Sequence, residues 1–383
     1  MKINFYFLTL ILFQIIKSKD FSVHYTRFVF SGIIIVIKVG EPHDTSIVHI
    51  SMENDFSFFE FSLLNGTRSK SVKIINENEN VKFYGIEKNV NLELREDIIT
   101  FPYLQSKFNY SFYYMKKKID FVYTSISLAH KFKDNKFNLI EQLYKNQIID
   151  KKIFCIKHYG KSGGEIFFGD LNKCLNNSNK TYPYIINVNP NDVRWSFKLD
   201  MIYFKKNNVI SKYYINSYYS YFDSAYLKIY VPLDFFNFLI ENFFQQKFKE
   251  ESCYISDVYN QRYKQIICQK MSDIPFENLT IVINGVSFEL NKNDLFEEFG
   301  FLTYFLIELD LFNLYNFRIG TTFLLKYTSI FNYDSHIVEL YSDVKLENIN
   351  YKKFYYKKLI SNLKKYLIYT TICINLIGIL ILM

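Results

Sequence analysis

The sequence has little cysteine, histidine or glycine, and it lacks the spacing patterns of metal sites. Its 5 cysteines and 6 histidines are scattered over 383 residues, and they form neither a Cys-x-x-Cys pair nor a histidine cluster. Because a zinc site needs closely spaced ligands, we expect no metal and no other cofactor. Against 12 glycines stand 33 tyrosines and 40 phenylalanines. This bias resembles that of A+T-rich genomes, such as those of apicomplexan parasites, and carries little functional information.

Nucleic-acid motifs are also absent, although the formal net charge is +8. Six positive charges lie close together before an apolar C-terminal run: Lys352, Lys353, Lys357, Lys358, Lys364 and Lys365. Elsewhere lysine is interspersed with acidic residues, which is typical of a solvated surface. We therefore expect no nucleic-acid partner.

Apolar segments at the two ends predict a secretory-pathway or cell-surface protein that is attached to a membrane. Residues 1–19 combine Lys2 with the apolar run Ile3–Ile16, as in a secretory signal peptide. Residues 366–383 contain no charged residue and would extend about 27 Å as a helix, enough to cross a bilayer core. We predict a transmembrane segment there, after a basic juxtamembrane linker at residues 346–365. A glycosylphosphatidylinositol anchor is the alternative, because the lysines would otherwise lie on the lumenal side, against the positive-inside tendency.

Four cysteines lie in the body of the chain: Cys155, Cys174, Cys253 and Cys268. In an oxidising compartment they permit two disulfides, with three possible connectivities. The pair Cys253–Cys268 is the most plausible bridge because it closes a short loop. Five sequons fit a glycosylated lumenal body: Asn65, Asn109, Asn176, Asn179 and Asn278.

The body is predicted to be mostly β. Apolar, β-branched and aromatic runs predict strands at Phe28–Val39, Thr45–Phe61 and Lys82–Asp97, and a hairpin formed by Ile153–His158 and Glu165–Phe168 around Gly160–Gly164. Helices are predicted at Phe137–Asn146 and Pro232–Phe248, the second with proline at a natural helix start. A cluster of Asn and Pro near Val188–Val193 divides the body into an N-terminal lobe, residues 20–190, and a C-terminal lobe, residues 191–345.

Several segments between residues 28 and 340 contain recognisable motifs, and their order along the chain is informative. They are Phe137–Cys155, Gly163–Asp170, Trp195–Ile202, Asp223 nine residues before Pro232, Ile281–Val286, and Ile319–Asp334. Taken together they resemble the pepsin-like (A1) family of eukaryotic aspartic proteases. The resemblance implies a bilobal, mostly-β fold, with two β-barrel-like lobes and a substrate cleft between them.

In that family each lobe supplies one Asp from an Asp-Thr/Ser-Gly turn. The two carboxylates share a proton and activate the water that attacks the peptide carbonyl. The second turn here is Asp223-Ser224-Ala225-Tyr226, so the resemblance makes Asp223 the candidate second catalytic residue. Ala225 replaces the glycine, and Tyr226 replaces a bracing Thr or Ser.

The first turn has lost its Asp at the expected position. Counting eleven residues from Gly40 leads to Ser51-Met52-Glu53 where Asp-Thr-Gly belongs, so Ser51 takes the place of the first catalytic Asp. Asp44, in Asp44-Thr45-Ser46, is an alternative first Asp if a short loop brings it inward. Tyr84, in Phe83-Tyr84-Gly85, matches the flap tyrosine that covers substrate in the family, although the glycines that follow it there are missing.

We therefore predict a pepsin-like protein that has lost peptidase activity and keeps its cleft for a peptide or protein ligand. The first predicted strand starts at Phe28, which leaves no room for a prosegment after the signal peptide. Asp223, as a lone buried carboxyl, would favour its protonated form. Two alternatives remain open: an active aspartic endopeptidase that pairs Asp223 with Asp44 or another Asp, and an unrelated β-rich surface interaction protein.

Overall fold

A computed structural model describes residues 21–347 of the chain with short gaps. The gaps are residues 27–31, 42–43, 61–68, 82–89, 102–106, 116–123, 132–136, 161–162, 170, 176–181, 207–208, 216–218, 259–261, 272–275 and 312–315. The predicted signal peptide, Tyr84, and the predicted linker beyond residue 347 with its C-terminal apolar segment lie outside the described residues. Within the described part, no helix is both long and apolar enough to cross a membrane.

Strands dominate the described residues. They are β1 Phe21–Thr26, β2 Ile34–Val39, β3 Asp44–Ser51, β4 Phe58–Glu60, β5 Lys73–Val81, β6 Val90–Thr100, β7 Phe108–Met115, β8 Ser125–Ser127, β9 Ile153–His158, β10 Gly163–Phe168, β11 Tyr182–Asn187, β12 Ser196–Lys206, β13 Val209–Tyr214, β14 Tyr219–Phe222, β15 Ile229–Val231, β16 Cys253–Val258, β17 Tyr263–Cys268, β18 Asn278–Ile283, β19 Val286–Asn291, β20 Phe296–Phe299, β21 Leu302–Asp310, β22 Phe317–Ile319, β23 Thr328–Asn332 and β24 Ile337–Ser342. The helices are Leu139–Lys145, Leu171–Leu175, Leu233–Leu239, a π-helical turn at Ile240–Phe244, Gln245–Lys249, Lys292–Leu295 and Thr321–Leu324. The prediction of a mostly-β body is confirmed.

The described strands form two large sheets. One has the order β11-β24-β23-β9-β10-β1-β2-β3-β8-β4-β7-β6-β5, and the other β16-β17-β21-β15-β22-β14-β12-β18-β19, with β13 beside β12 and β20 beside β21. The last two strands of the chain, β23 and β24, pair with β9 and β11. The C-terminal part of the body therefore returns to the sheet that the first 190 residues build.

Elements with strong local sequence signals were predicted well, whereas two strands without such signals were missed. The hairpin β9–β10 and the helix Leu139–Lys145 lie where the sequence places them, and the helix after Pro232 continues through the π-helical turn to Lys249. Two strands were not predicted. β1 begins at Phe21, before the first predicted strand at Phe28, and β5 precedes the predicted Lys82–Asp97 strand. Most described side chains of β5 are exposed, so it lacks the apolar alternation that marks a half-buried strand.

Two disulfides join the four cysteines of the body. Cys253 bonds to Cys268, as predicted, and Cys155 bonds to Cys174. The first bridge links directly opposite residues of the antiparallel pair β16–β17. Both bridges suit an oxidising compartment.

The junction between the two halves is built around Trp195, the only tryptophan. Its side chain is fully buried, and its Nε1 donates to the carbonyl oxygen of Leu128 at 2.7 Å. The rings of Phe154 and Phe331 pack against it, with centroid distances of 5.9 and 5.1 Å. Because these partners come from β8–β9 and from β23, Trp195 holds the returning strands against the first half of the chain.

Candidate active site

Two parallel strand pairs position the two candidate turns. β3 ends at Ser51 and runs parallel to β8, and β14 ends at Phe222 and runs parallel to β22, with Phe222 opposite Ile319. Asp223 follows immediately, and its N–H donates to the carbonyl oxygen of Ile319 at 3.0 Å. Each turn therefore follows the last residue of a strand, and a short parallel strand pairs with that strand.

Two hydrogen bonds join the two turns directly, and a third holds the Asp223 turn against the first half of the chain. The Ser224 hydroxyl donates to the carbonyl oxygen of Ile50 at 2.7 Å, and the Met52 N–H donates to Asp223 Oδ1 at 3.2 Å. The Ile33 N–H donates to the carbonyl oxygen of Ser224 at 2.7 Å. Ile50 and Met52 flank Ser51 in the chain. The structure thus places the turn at Ser51 directly against the turn at Asp223.

Two further residues of the first half support the Asp223 turn. A Cβ on Gly32 would lie 2.2 Å from the carbonyl oxygen of Ser224, so only glycine allows the two backbones to approach this closely. His49, on β3, makes a hydrogen bond to the backbone of Ala225, while burial lowers the pKa of its imidazole to about 4. His49 is therefore neutral at physiological pH and braces the turn without adding charge.

Asp44 is not brought to Asp223. It is the first residue of β3 and lies opposite Val39, whereas Ser51 is the last residue of the same strand. At about 3.3 Å per residue, Asp44 is about 23 Å from Ser51. The alternative in which Asp44 supplies the first carboxylate would require a different register of this strand.

Asp223 is fully buried. Its Oδ1 accepts hydrogen bonds from the N–H groups of Met52 and Ala225, while its Oδ2 has no hydrogen-bond partner among the described residues. Burial and, to a smaller extent, the negative charge of Glu53 raise the pKa of Asp223 to about 7, although Arg318 and the N–H groups of Ala225 and Met52 oppose both effects. The expectation that Asp223 favours its protonated form is consistent with this direction, but Asp223 is not a lone carboxyl.

Glu53, the third residue of the first turn, reaches into the second half of the chain. It is only 4% exposed, and its Oε1 accepts hydrogen bonds from the Tyr221 hydroxyl at 2.8 Å and from Arg318 Nη2 at 3.1 Å. Arg318 is 2% exposed, and its Nε donates to the Tyr221 oxygen at 2.9 Å. A buried ion pair therefore links the first turn to Arg318 on β22. Its carboxylate comes from the turn position that is glycine in an Asp-Thr/Ser-Gly turn.

Residues 119–342, more than half of the chain, match the family model described as eukaryotic aspartyl protease. The chain belongs to this family. The match includes Asp223 and begins after Ser51, and membership excludes the interpretation as an unrelated β-rich surface protein. The comparison with curated proteins found no match.

Six charged side chains are buried together close to the Asp223 turn. We call this group the buried ion cluster; its members are Glu53, Lys228, Arg262, Glu308, Asp310 and Arg318. Arg318 Nη2 lies 3.4 Å from Asp310 Oδ2, Arg262 Nε lies 3.7 Å from Asp310 Oδ1, and Lys228 forms an ion pair with Glu308. All six residues are at most 9% exposed. Its three cations balance its three carboxylates, as buried charges require.

Tyr226, which replaces the bracing Thr or Ser of this family, packs against a member of the buried ion cluster. Its ring centroid lies 4.7 Å from the guanidinium carbon of Arg318, and the ring of Tyr230 lies 4.9 Å from the same atom. Both rings offer cation–π contacts to a guanidinium that has lost its hydration. The substitution therefore has a structural partner in Arg318.

At the first turn the structure places a hydroxyl rather than a carboxylate beside the Asp223 turn. That hydroxyl belongs to Ser51, the position at which the sequence predicts a lost Asp, and it accepts the Glu53 N–H at 3.3 Å. The carboxylate whose charge reaches Asp223 is that of Glu53, and its Oε1 is already held by Tyr221 and Arg318.

Glu53 and Arg318 were not among the residues predicted from the sequence. The signal that could have identified them is charge at a buried position. Arg318 lies between Phe317 and Ile319 in a three-residue strand that is wholly buried, and Glu53 directly follows Met52. Two opposite charges in apolar surroundings suggest a pair, but nothing local shows that they are each other's partners.

Proposed function

We propose that this family member is a pseudoprotease of the secretory pathway, which holds a peptide or protein segment in the cleft between its lobes without cleaving it. The observation that carries the proposal is the position of Ser51. It stands at the end of β3, between two residues that hydrogen-bond to the Asp223 turn. Loss of one member of an acid–base pair typically costs about 10²–10⁴-fold in rate.

The contacts between the two turns favour a retained binding surface. Gly32, Ser224 and Asp223 maintain these contacts, so the backbone on which a ligand would lie is held in one arrangement. A binding site needs such preorganised walls but does not need the carboxylate pair.

Secretory entry and membrane attachment are part of the proposal. The signal-like residues 1–19 and the two disulfides support a lumenal body. The uncharged residues 366–383 support attachment of that body to a membrane, through a transmembrane segment or a glycosylphosphatidylinositol anchor.

Tyr84 is the residue we propose to cover the bound ligand. We expect Tyr84→Ala to weaken capture of peptides about tenfold, since loss of one aromatic anchor commonly costs more than 1 kcal/mol. The measurement is retention of a randomised decapeptide library by the full-length protein in detergent micelles, quantified by mass spectrometry. Tyr254→Ala is the matched control, because Tyr254 is 45% exposed on β16, and it should leave retention unchanged. Equal peptide retention by Tyr84→Ala and Tyr254→Ala would show that Tyr84 does not contribute to ligand binding.

An active endopeptidase with an atypical pair is the second candidate, and one observation favours it. The negative charge of Glu53 raises the pKa of Asp223, which places a second carboxyl group close enough to act on Asp223. Pepstatin-sensitive cleavage that Asp223→Ala abolishes would support this candidate over the pseudoprotease.

A further inference from the structure

The turn of the hairpin β20–β21 carries an aromatic side chain that is almost fully exposed to solvent. Phe301 is 96% exposed, and Phe299, which precedes the turn, is 56% exposed. Leu302, which follows the turn, is half-buried. We call residues 299–302 the aromatic tip. Exposed apolar side chains that lie side by side mark surfaces that contact protein or lipid.

The backbone of the hairpin makes the aromatic tip project from the sheet. Phe299 pairs with Leu302, so the turn itself consists of Gly300 and Phe301. Gly300 has a φ of +63°, as glycine often has at the first position of a two-residue turn. β17 pairs with β21 only as far as Thr303, and a Cβ on Gly300 would meet nothing within 4 Å. The turn therefore extends past the last strand pairing into open space.

Turn geometry alone does not account for the phenylalanine. The hairpin β18–β19 also has a two-residue turn, formed by Asn284 and Gly285, which is a common pair at such turns. A polar residue at position 301 would serve the β20–β21 turn equally well. Because the ring of Phe301 is exposed, it contributes almost nothing to the core, and a contact outside the body is the better explanation.

The length of chain after the described body favours a lipid bilayer as that contact. The N–H of Ser287 donates to the carbonyl oxygen of Glu347 at 3.0 Å, so the chain leaves the described body beside β19. The path from Ser287 to Phe299 is at most about 40 Å, and residues 348–365 can extend to about 60 Å. The aromatic tip is therefore within reach of a membrane that holds residues 366–383. Such a tether raises the effective concentration, so a weak insertion is sufficient.

We propose that the aromatic tip inserts into the bilayer to which the C-terminal segment attaches the body, at the boundary between headgroups and acyl chains. A phenylalanine ring suits this position because it carries no polar group that insertion would leave unpaired. The partner is a zwitterionic phosphatidylcholine surface, since Glu297 and Glu298 precede the tip and anionic headgroups would repel them. This inference rests on the membrane attachment in the proposed function, and it fixes which side of the body faces the membrane.

The test is tryptophan fluorescence of full-length Phe301→Trp in phosphatidylcholine vesicles, with and without brominated acyl chains, which quench tryptophan on contact. Because an inserted side chain lies about 5–10 Å deep, among the upper acyl chains, we expect brominated lipid to lower the emission of the introduced tryptophan about twofold. The wild type supplies the background from Trp195, which is fully buried. Tyr254→Trp is the matched control, since Tyr254 is 45% exposed on β16, and its emission should not change.

Equal responses of Phe301→Trp and Tyr254→Trp to brominated lipid would overturn the insertion. A blue shift of Phe301→Trp without quenching would also overturn it, because the tip would then contact protein rather than lipid. Flotation of the vesicles after an alkaline wash tests the attachment separately. Protein that does not float contradicts membrane attachment and this inference with it, whereas floating protein without quenching contradicts the insertion alone. Neither result bears on peptide retention by the cleft.

Discussion

Replacing Glu53 with Gln is expected to lower the free energy of unfolding by about 3–5 kcal/mol, the usual cost of breaking a buried ion pair by removing one partner. Arg318 is 2% exposed, so its guanidinium is largely shielded from solvent. Without Glu53 its charge is shared with Asp310 alone, and the balance of the buried ion cluster is lost. The substitution keeps the size of the side chain, so the effect reports charge rather than packing.

Urea unfolding at pH 5.5 is the suitable measurement, because Asp223 is then mostly protonated and the change in its own charge does not interfere. Glu250→Gln is the control, since Glu250 pairs with Lys247 at 2.9 Å with a side chain that is 43% exposed. An exposed pair of this kind contributes little to stability. If Glu53→Gln costs no more than this control, the buried ion cluster does not hold the two halves together.

Asp223→Asn is expected to stabilise the protein at neutral pH. Asp223 has a pKa of about 7 when folded, against an ordinary value of 3.8. The unfolded chain therefore releases this proton from about pH 4 upward, while the folded chain retains it to about pH 7. Between these values the wild type loses about 1.4 kcal/mol of stability per pH unit, or on the order of 4 kcal/mol in all. Asparagine removes this loss, so the variant should gain that amount at pH 7 and little at pH 4.

Thermal or urea unfolding of both proteins from pH 4 to pH 8 measures this difference. Asp257→Asn provides the comparison, because Asp257 lies 3.0 Å from Lys264 in an exposed pair and should change stability by at most about 1 kcal/mol. Parallel pH profiles for the wild type and Asp223→Asn would mean that Asp223 does not carry the proton.

Local sequence signals sufficed for much of the fold. Glycines mark the hairpin β9–β10, the proline at 232 marks a helix start, and a separation of 15 residues identifies the bridge Cys253–Cys268. Motif order across the second half identified the family. These features depend on residues close together in the chain, where residue type alone restricts the backbone.

The electrostatics of the site could not be predicted in the same way. Ser51 and Asp223 were identified by counting from neighbouring motifs, but the partner of Glu53 lies 265 residues away. Such a contact depends on how two sheets meet, not on spacing. For the same reason Asp223 was expected to be alone, whereas the structure places the charge of Glu53 and the guanidinium of Arg318 close enough to act on it.

Turnover is the most direct test of the central claim that the first catalytic carboxylate has been lost. The wild-type protein and Asp223→Ala are incubated with a diverse peptide library from pH 4 to pH 7, and new peptide termini are counted by mass spectrometry. We predict no cleavage by the wild type above that of Asp223→Ala at any pH. Cleavage by the wild type that Asp223→Ala abolishes would contradict the claim and would make Glu53 the first residue to examine as the missing partner.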